Sequence, residues 1–267
     1  MLVKLVCVKI YPVTQLICVH SFRGGTGKSN LSSNLGCLLA RRGCRVAVVD
    51  TDIQSPGVHV LFGLSEDAVG LTVNDFLWER CALSQAAHDV TPVATAQGGA
   101  EPGTQLFLVP SSMKSIDIAR VVRDGYDVSR LDEGLQELSS SLDLDYLILD
   151  THPGLNEETL LLITIADTVL VVLRPDNQDF QGTSVVVEVA RKLEVPKLLL
   201  VVNMTPAALE REALRQRVQE VYGASVAGVL PLSEEVAYNA SSTLFSLTHP
   251  EHPWSQEIVR IASHLLD

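Results

Sequence analysis

Residues 16–36, LICVHSFRGGTGKSNLSSNLG, decide how the rest of the chain is read. Leu16 to Val19 form the apolar run that a strand buried on both faces requires. Gly24, Gly25 and Gly27 then remove side chains where backbone N–H groups must close around an anion. Lys28 and Ser29 open a helix whose N-terminus favours negative charge. Strand, glycine-rich turn and helix in this order make a cradle for the phosphates of a nucleoside triphosphate. Its residues are Gly24, Gly25, Thr26, Gly27, Lys28, Ser29 and Asn30, with the Lys28 ammonium on the phosphates and the Ser29 hydroxyl on Mg²⁺. The strict motif G-x-x-x-x-G-K-[ST] is not met, because its first glycine falls at Phe22.

Outward from the cradle, strands and helices alternate. The first helix carries Leu31, Leu35, Leu38 and Leu39 on one face and stops at Gly43. Apolar runs predict strands at Arg45–Asp50, Gln105–Val109, Tyr146–Asp150, Thr168–Leu173, Lys197–Asn203 and Ala227–Leu230. Helices are expected over Leu71–Leu83, Ser115–Leu142 with an interruption near Gly125, Thr183–Leu193, Pro206–Tyr222 and Ser255–Leu266. Val58–Gly63 reads as helix or loop, and Thr91–Thr104 as the most loop-like stretch. Upstream, Val3–Ile10 alternates loosely before Tyr11-Pro12 and suggests an extra edge strand. There are no internal repeats and no linker. The reading is one α/β domain over residues 1–267, a mostly parallel sheet with helices on both faces and ligands at the strands' carboxyl ends.

A chain of 267 residues, 46% hydrophobic, can bury a substantial core. No apolar run approaches the ~20 residues of a membrane span, and no leader pattern opens the chain, so a soluble, cytoplasmic protein is expected. The five cysteines form no C-x-x-C pair, which disfavours zinc and iron–sulfur sites. A formal charge of −12 argues against a surface given over wholly to nucleic acid, though not against a local basic patch.

Arg23-Gly24-Gly25-Thr26-Gly27-Lys28-Ser29 resembles the deviant Walker A loop, K-G-G-x-G-K-[ST], of the MinD/ParA family of ATPases, with Arg23 where the first lysine stands. Asp50-Thr51-Asp52 is similar to the family's D-x-D pair, and Asp150-Thr151-His152-Pro153-Gly154 to its D-x-x-P-G segment. The resemblance covers Leu16 to the last helix and implies a P-loop NTPase of the SIMIBI type. It implies that Asp52 orients the attacking water, that Asp50 supports the magnesium shell and that Asp150 is the Walker B carboxylate. Asn203 looks like the amide that reads adenine, and Pro231 and Leu232 like the flanks of the base. Met204 and Thr205 stand where a guanine-reading motif would continue, so ATP is favoured over GTP. His152 is expected to be structural or solvent-facing. Residues 1–14 depart from the family as an N-terminal extension.

In such proteins ATP closes a homodimer and hydrolysis, stimulated by a protein activator or cargo adaptor, opens it. Two readings of Arg23 follow. It acts in trans as an arginine finger on the partner's phosphates, the favoured reading, or it sits in cis and dimerisation is organised differently. Membrane anchoring of the MinD type is not expected, because the last helix carries one arginine and no basic tail follows. Nonspecific DNA binding would rest on Arg211, Arg215 and Arg217, or on Arg120, Arg123 and Arg130, each group interspersed with acids. Two other classes stay open: an adaptor gated by nucleotide with negligible hydrolysis, and a metabolic ligase on the same scaffold.

Overall fold

A computed structural model describes residues 14–266. The strand expected at Val3–Ile10 lies outside the described residues. Eight strands form a single sheet: β1 (Gln15–His20), β2 (Arg45–Asp50), β3 (His88–Asp89), β4 (Gln105–Val109), β5 (Tyr146–Asp150), β6 (Thr168–Leu173), β7 (Lys197–Thr205) and β8 (Ser225–Pro231). Their order is β3-β4-β2-β5-β1-β6-β7-β8, parallel throughout except for the two-residue β3. Placing β1 between β5 and β6, with β2 on the far side of β5, brings three loop-bearing carboxyl ends together. In that register Asp50 lies directly opposite Asp150.

The helices are α1 (Lys28–Arg41), α2 (Val58–Leu61), α3 (Val73–Leu77), α4 (Thr91–Thr95), α5 (Ser115–Asp124), α6 (Ser129–Ser141), α7 (Glu157–Ile165), α8 (Asn177–Lys192), α9 (Arg211–Tyr222), α10 (Glu234–Asn239), α11 (Phe245–Thr248) and α12 (Pro253–Leu266). Alternation along each strand divides the core between the two faces of the sheet. Val46, Val48, Ile148 and Leu170 meet α1 and α12 through Leu31, Leu35, Ile258 and Ile261. Ala47, Val49, Leu147 and Val169 meet α6, α8 and α9 through Leu135, Val186 and Val218. Each fully buried aliphatic side chain contributes about 1.5–3 kcal/mol, so the central strands are the most firmly held part of the platform.

The structure differs from the sequence reading in several places. Helix Leu71–Leu83 shrinks to α3, because Glu79 takes a left-handed backbone (φ 61°) and Arg80 folds back onto Asp75 at 3.0 Å. Thr91–Thr104 is not all loop: Pro92 occupies the first turn of α4, where its missing N–H costs nothing. Helix α8 starts earlier than Thr183, since Asp176 caps it by accepting from the Gln178 and Asp179 amides. Helix α9 starts later than Pro206, because Glu210 caps it through the Glu212 and Ala213 amides. The break expected near Gly125 is present, with φ 66° ending α5.

Candidate functional site

The loop from Ser21 to Gly27 joins β1 to α1 at the carboxyl edge of the sheet. Gly27 is the residue that precedes α1, at φ 88°, and no side chain caps the helix. Its first-turn N–H groups are therefore left for a ligand. Gly25 also has a positive φ, 74°, so the loop turns twice through conformations that side chains disfavour.

Lys28 is buried, and its Nζ donates to Ser21 Oγ at 3.0 Å. Burial pulls the Lys28 pKa down, and the charges of Asp150 and Asp52 oppose it. Ser29 Oγ donates to Asp150 Oδ2 at 2.7 Å, and Ser32 Oγ to Asp150 Oδ1 at 2.8 Å. The two serines lie three residues apart on one face of α1, a spacing visible in the sequence that nevertheless gave no hint of Ser32.

Asp50 is fully buried, and burial, reinforced by the neighbouring Asp150, pushes its carboxyl up to about 8. Both of its oxygens accept backbone N–H groups: Oδ1 from Asp52 at 3.1 Å, Oδ2 from Gly57 at 3.0 Å and Val58 at 3.2 Å. Asp50 thus shapes the loop that carries Asp52. Burial raises Asp150 too, with Ser29, Lys28 and Ser32 opposing. Two register-paired buried carboxyl groups and a serine hydroxyl bonded to one of them supply oxygen donors that suit a divalent cation shared with phosphate oxygens.

Thr151, His152 and Gly154, in the segment after β5, are each tied to a different neighbour. Thr151 Oγ1 donates to the Val19 carbonyl at 3.0 Å, so His20 Nδ1, 2.8 Å away, is the donor to Thr151. Burial, with Lys28 nearby, holds His20 down to about 3, a neutral imidazole whose Nε2 has no partner among the described residues. Gly154 N donates to the Ser21 carbonyl at 2.9 Å. His152, expected from the sequence to be structural or solvent-facing, is partly buried, and its Nδ1 stands 2.8 Å from Asp52 Oδ1. That pairing spans 100 residues and has no local signal.

Asn203 reaches the cradle from β7. Its Nδ2 donates to the Thr26 carbonyl at 2.8 Å, and its Oδ1 accepts from Met204 N at 2.8 Å. Met204 is left-handed (φ 55°) at an irregularity in the β7–β8 pairing, and this kink aims Asn203 at the loop. One N–H and one lone pair of the amide remain for a base. Pro231 ends β8 opposite Thr205, and Leu232, 61% exposed, donates its N–H to the Thr205 carbonyl at 2.8 Å. Asn30 Nδ2 donates to Ser241 Oγ at 3.4 Å, linking α1 to the segment after α10.

Arg23 leaves the cradle. It is hydrogen-bonded to Gln178 and lies 3.8 Å from Asp179, both in the first turn of α8. The arginines considered for nucleic acid are largely engaged. Arg215 pairs with buried Glu257 at 3.0 Å, Arg120 stacks on Trp78 at 4.3 Å, Arg123 pairs with Asp124 at 2.7 Å and Arg130 with Glu79 at 2.7 Å.

A largely parallel sheet whose first strand feeds an uncapped helix through a glycine-rich loop, with a lysine opening that helix and a strand-end aspartate bonded to the helix's serine, defines a P-loop NTPase. The family model described as ParA, NUBPL iron-transfer P-loop NTPase, matches residues 12–266, and the chain belongs to this MinD/ParA-type family. Among curated relatives, an uncharacterized ATP-binding protein of Methanocaldococcus jannaschii is 26% identical over 94% of this chain and 87% of its own. An iron-sulfur cluster carrier protein of Pseudomonas fragi is 29% identical over 86% of this chain and 77% of its own. Among solved structures, septum site-determining protein MinD of Pyrococcus horikoshii, complexed with Mg-ADP, is 20% identical with a TM-score of 0.76, over 95% of this chain and 96% of that one. A ParA family ATPase from Chlorobium tepidum is 18% identical with a TM-score of 0.74, over 95% and 99%. These structural likenesses establish the fold.

Proposed function

We propose that this protein is an ATP-binding, Mg²⁺-dependent ATPase that switches between monomer and homodimer, of the MinD/ParA type, and positions or partitions a cargo. The observation that carries the reading is the uncapped start of α1 behind Gly27, with Lys28 buried there and Ser29 hydrogen-bonded to the strand-end Asp150. In this reading the amides of Gly24 to Asn30 and Lys28 bind the phosphates. Ser29 and Asp150 hold the metal, with Asp50 behind them. Mg²⁺ supplies charge neutralisation at the phosphates when bound. Asp52, 15% exposed, orients the attacking water and accepts its proton late in the reaction. Asn203, Pro231 and Leu232 surround the adenine.

Arg23 is 39% exposed and held by Gln178 and Asp179 of its own chain, so the trans reading requires it to leave both for a second subunit. Iron–sulfur carriage, the role in the names of several relatives besides the one from Pseudomonas fragi, finds no C-x-x-C pair among the cysteines of this sequence. Cys18 and Cys37 are buried, and no cluster of three or more His, Cys, Asp and Glu side chains suited to a metal occurs among the described residues. No helix among the described residues is long and apolar enough to cross a membrane. The face of α12 formed by Trp254, Ile258, Ile261 and Leu265 is buried in the core, which speaks against its use as a membrane anchor. A cytoplasmic setting and a protein activator or cargo adaptor complete the proposal. DNA is the weaker partner, given the paired arginines.

Size-exclusion with light scattering and single-turnover hydrolysis, each with Mg²⁺ and ATP or ADP, tests the proposal for the parent, Asp52→Ala and Arg23→Ala. We expect an ATP-dependent dimer, trapped by Asp52→Ala and weakened by Arg23→Ala. Nucleotide binding without hydrolysis would replace the ATPase by the adaptor. A monomer in every nucleotide state would overturn the switch, and adding DNA or liposomes tells the surfaces apart.

A further inference from the structure

One contact at the mouth of the cradle lies outside the roles already assigned. His152 Nδ1 and Asp52 Oδ1 are 2.8 Å apart, and the two side chains are 26% and 15% exposed. An ionised carboxylate only accepts, so the imidazole donates from Nδ1. The same Oδ1 also accepts from the Ser55 backbone N–H at 3.0 Å. Oδ1 is thereby held by two donors, while Oδ2 has no hydrogen bond to a described residue.

The imidazole is itself well supported. On one side Thr151 is fixed by His20 and the Val19 carbonyl, and on the other Gly154 is fixed by the Ser21 carbonyl. Pro153 restricts the backbone of His152 between these anchors. The bond therefore joins two loops, one after β2 and one after β5, each of which leaves an aspartate at the phosphate site. Glu158, near the start of α7, is the neighbouring carboxyl that could compete for the imidazole. It is already bonded to the Tyr126 hydroxyl, and burial pushes it up to about 7, so it competes weakly.

We propose that His152 is a positioning residue for Asp52: its Nδ1–H holds Oδ1, sets the carboxylate's orientation and leaves Oδ2 to orient the attacking water. This rests on the role given to Asp52 above. A carboxylate anchored at one oxygen need not be ordered again at the transition state. A hydrogen bond to a charged group corresponds to a rate factor of about 10 to 100.

The test compares single-turnover ATP hydrolysis and ATP affinity in the parent, His152→Ala, His152→Asn, His152→Gln, Asp52→Ala and the double variant Asp52→Ala/His152→Ala. Asparagine presents its amide near the Nδ1 position, whereas glutamine presents it near Nε2. His152→Ala should hydrolyse about 10- to 100-fold more slowly, with ATP affinity within about twofold of the parent. His152→Asn should recover to within about threefold of the parental rate while His152→Gln stays slow. In the Asp52→Ala background, removing His152 should change nothing further. A parental rate in His152→Ala, equal rates for Asn and Gln, or further slowing in the double variant would overturn the proposal. The Asn–Gln comparison stands even if the alanine variant does not fold. If Asp52→Ala hydrolyses like the parent, the role of Asp52 fails first, and that of His152 with it.

Discussion

Gly27→Ala, compared with Gly25→Ala, separates backbone strain from the contact that ties the cradle to the base-side strand. Both glycines have left-handed backbones, φ 88° and 74°. An alanine at either position carries a strain of about 1–2 kcal/mol. At Gly25 a Cβ would meet nothing within 4 Å, so strain is the whole cost. At Gly27 a Cβ would stand under 3.0 Å from Asn203 Nδ2, the atom that donates to the Thr26 carbonyl. Asn203 is 5% exposed and has little room to swing aside. Losing that hydrogen bond and leaving a buried polar group unpaired adds about 1–3 kcal/mol. Urea unfolding without nucleotide should therefore show losses of about 1–2 kcal/mol for Gly25→Ala and about 2–5 kcal/mol for Gly27→Ala. The excess should vanish in an Asn203→Ala background, where the clash is gone. Equal losses for the two alanines, or an excess that survives removal of Asn203, would refute the coupling of loop to β7.

Two further outcomes follow from buried charges. The Glu158 carboxyl is raised from its ordinary 4.5 to about 7 by burial, so the folded state keeps its proton to higher pH than the unfolded state does. Its contribution is full below pH about 4.5 and is lost as pH rises through about 7, a loss of order 3 kcal/mol. Glu158→Gln should flatten that part of the stability profile, measured by urea unfolding from pH 4 to 8, and an unchanged slope would contradict the burial argument. Arg215→Ala should cost about 3 kcal/mol, because Glu257, 7% exposed, loses its buried partner while Arg260 at 3.2 Å remains. Loss of DNA retention at unchanged stability would instead place Arg215 on a binding face.

The sequence by itself determined the platform and the glycine-rich loop proposed to hold phosphate. Strands β2, β4, β5 and β6 coincide to the residue with their apolar runs, because a strand buried on both faces needs such a run throughout. The glycines, Lys28 and Ser29 were legible because their chemistry is local: adjacent amides, one helix start, one hydroxyl. Shorter elements were not. Helices α2, α4, α10 and α11 span fewer than two turns, too few for a periodic signal, and α7 carries an apolar run, Leu160 to Ile163, with no clear face. Only the tertiary structure decided which side chains meet. His152 found Asp52 across 100 residues, Asn203 found Thr26 across 177, and Arg23 turned to α8 across 155. Those meetings depend on strand order, β2 beside β5 beside β1, and on a kink at Met204. Hydrophobic patterning specifies that a strand is buried, but not which strand lies next to it.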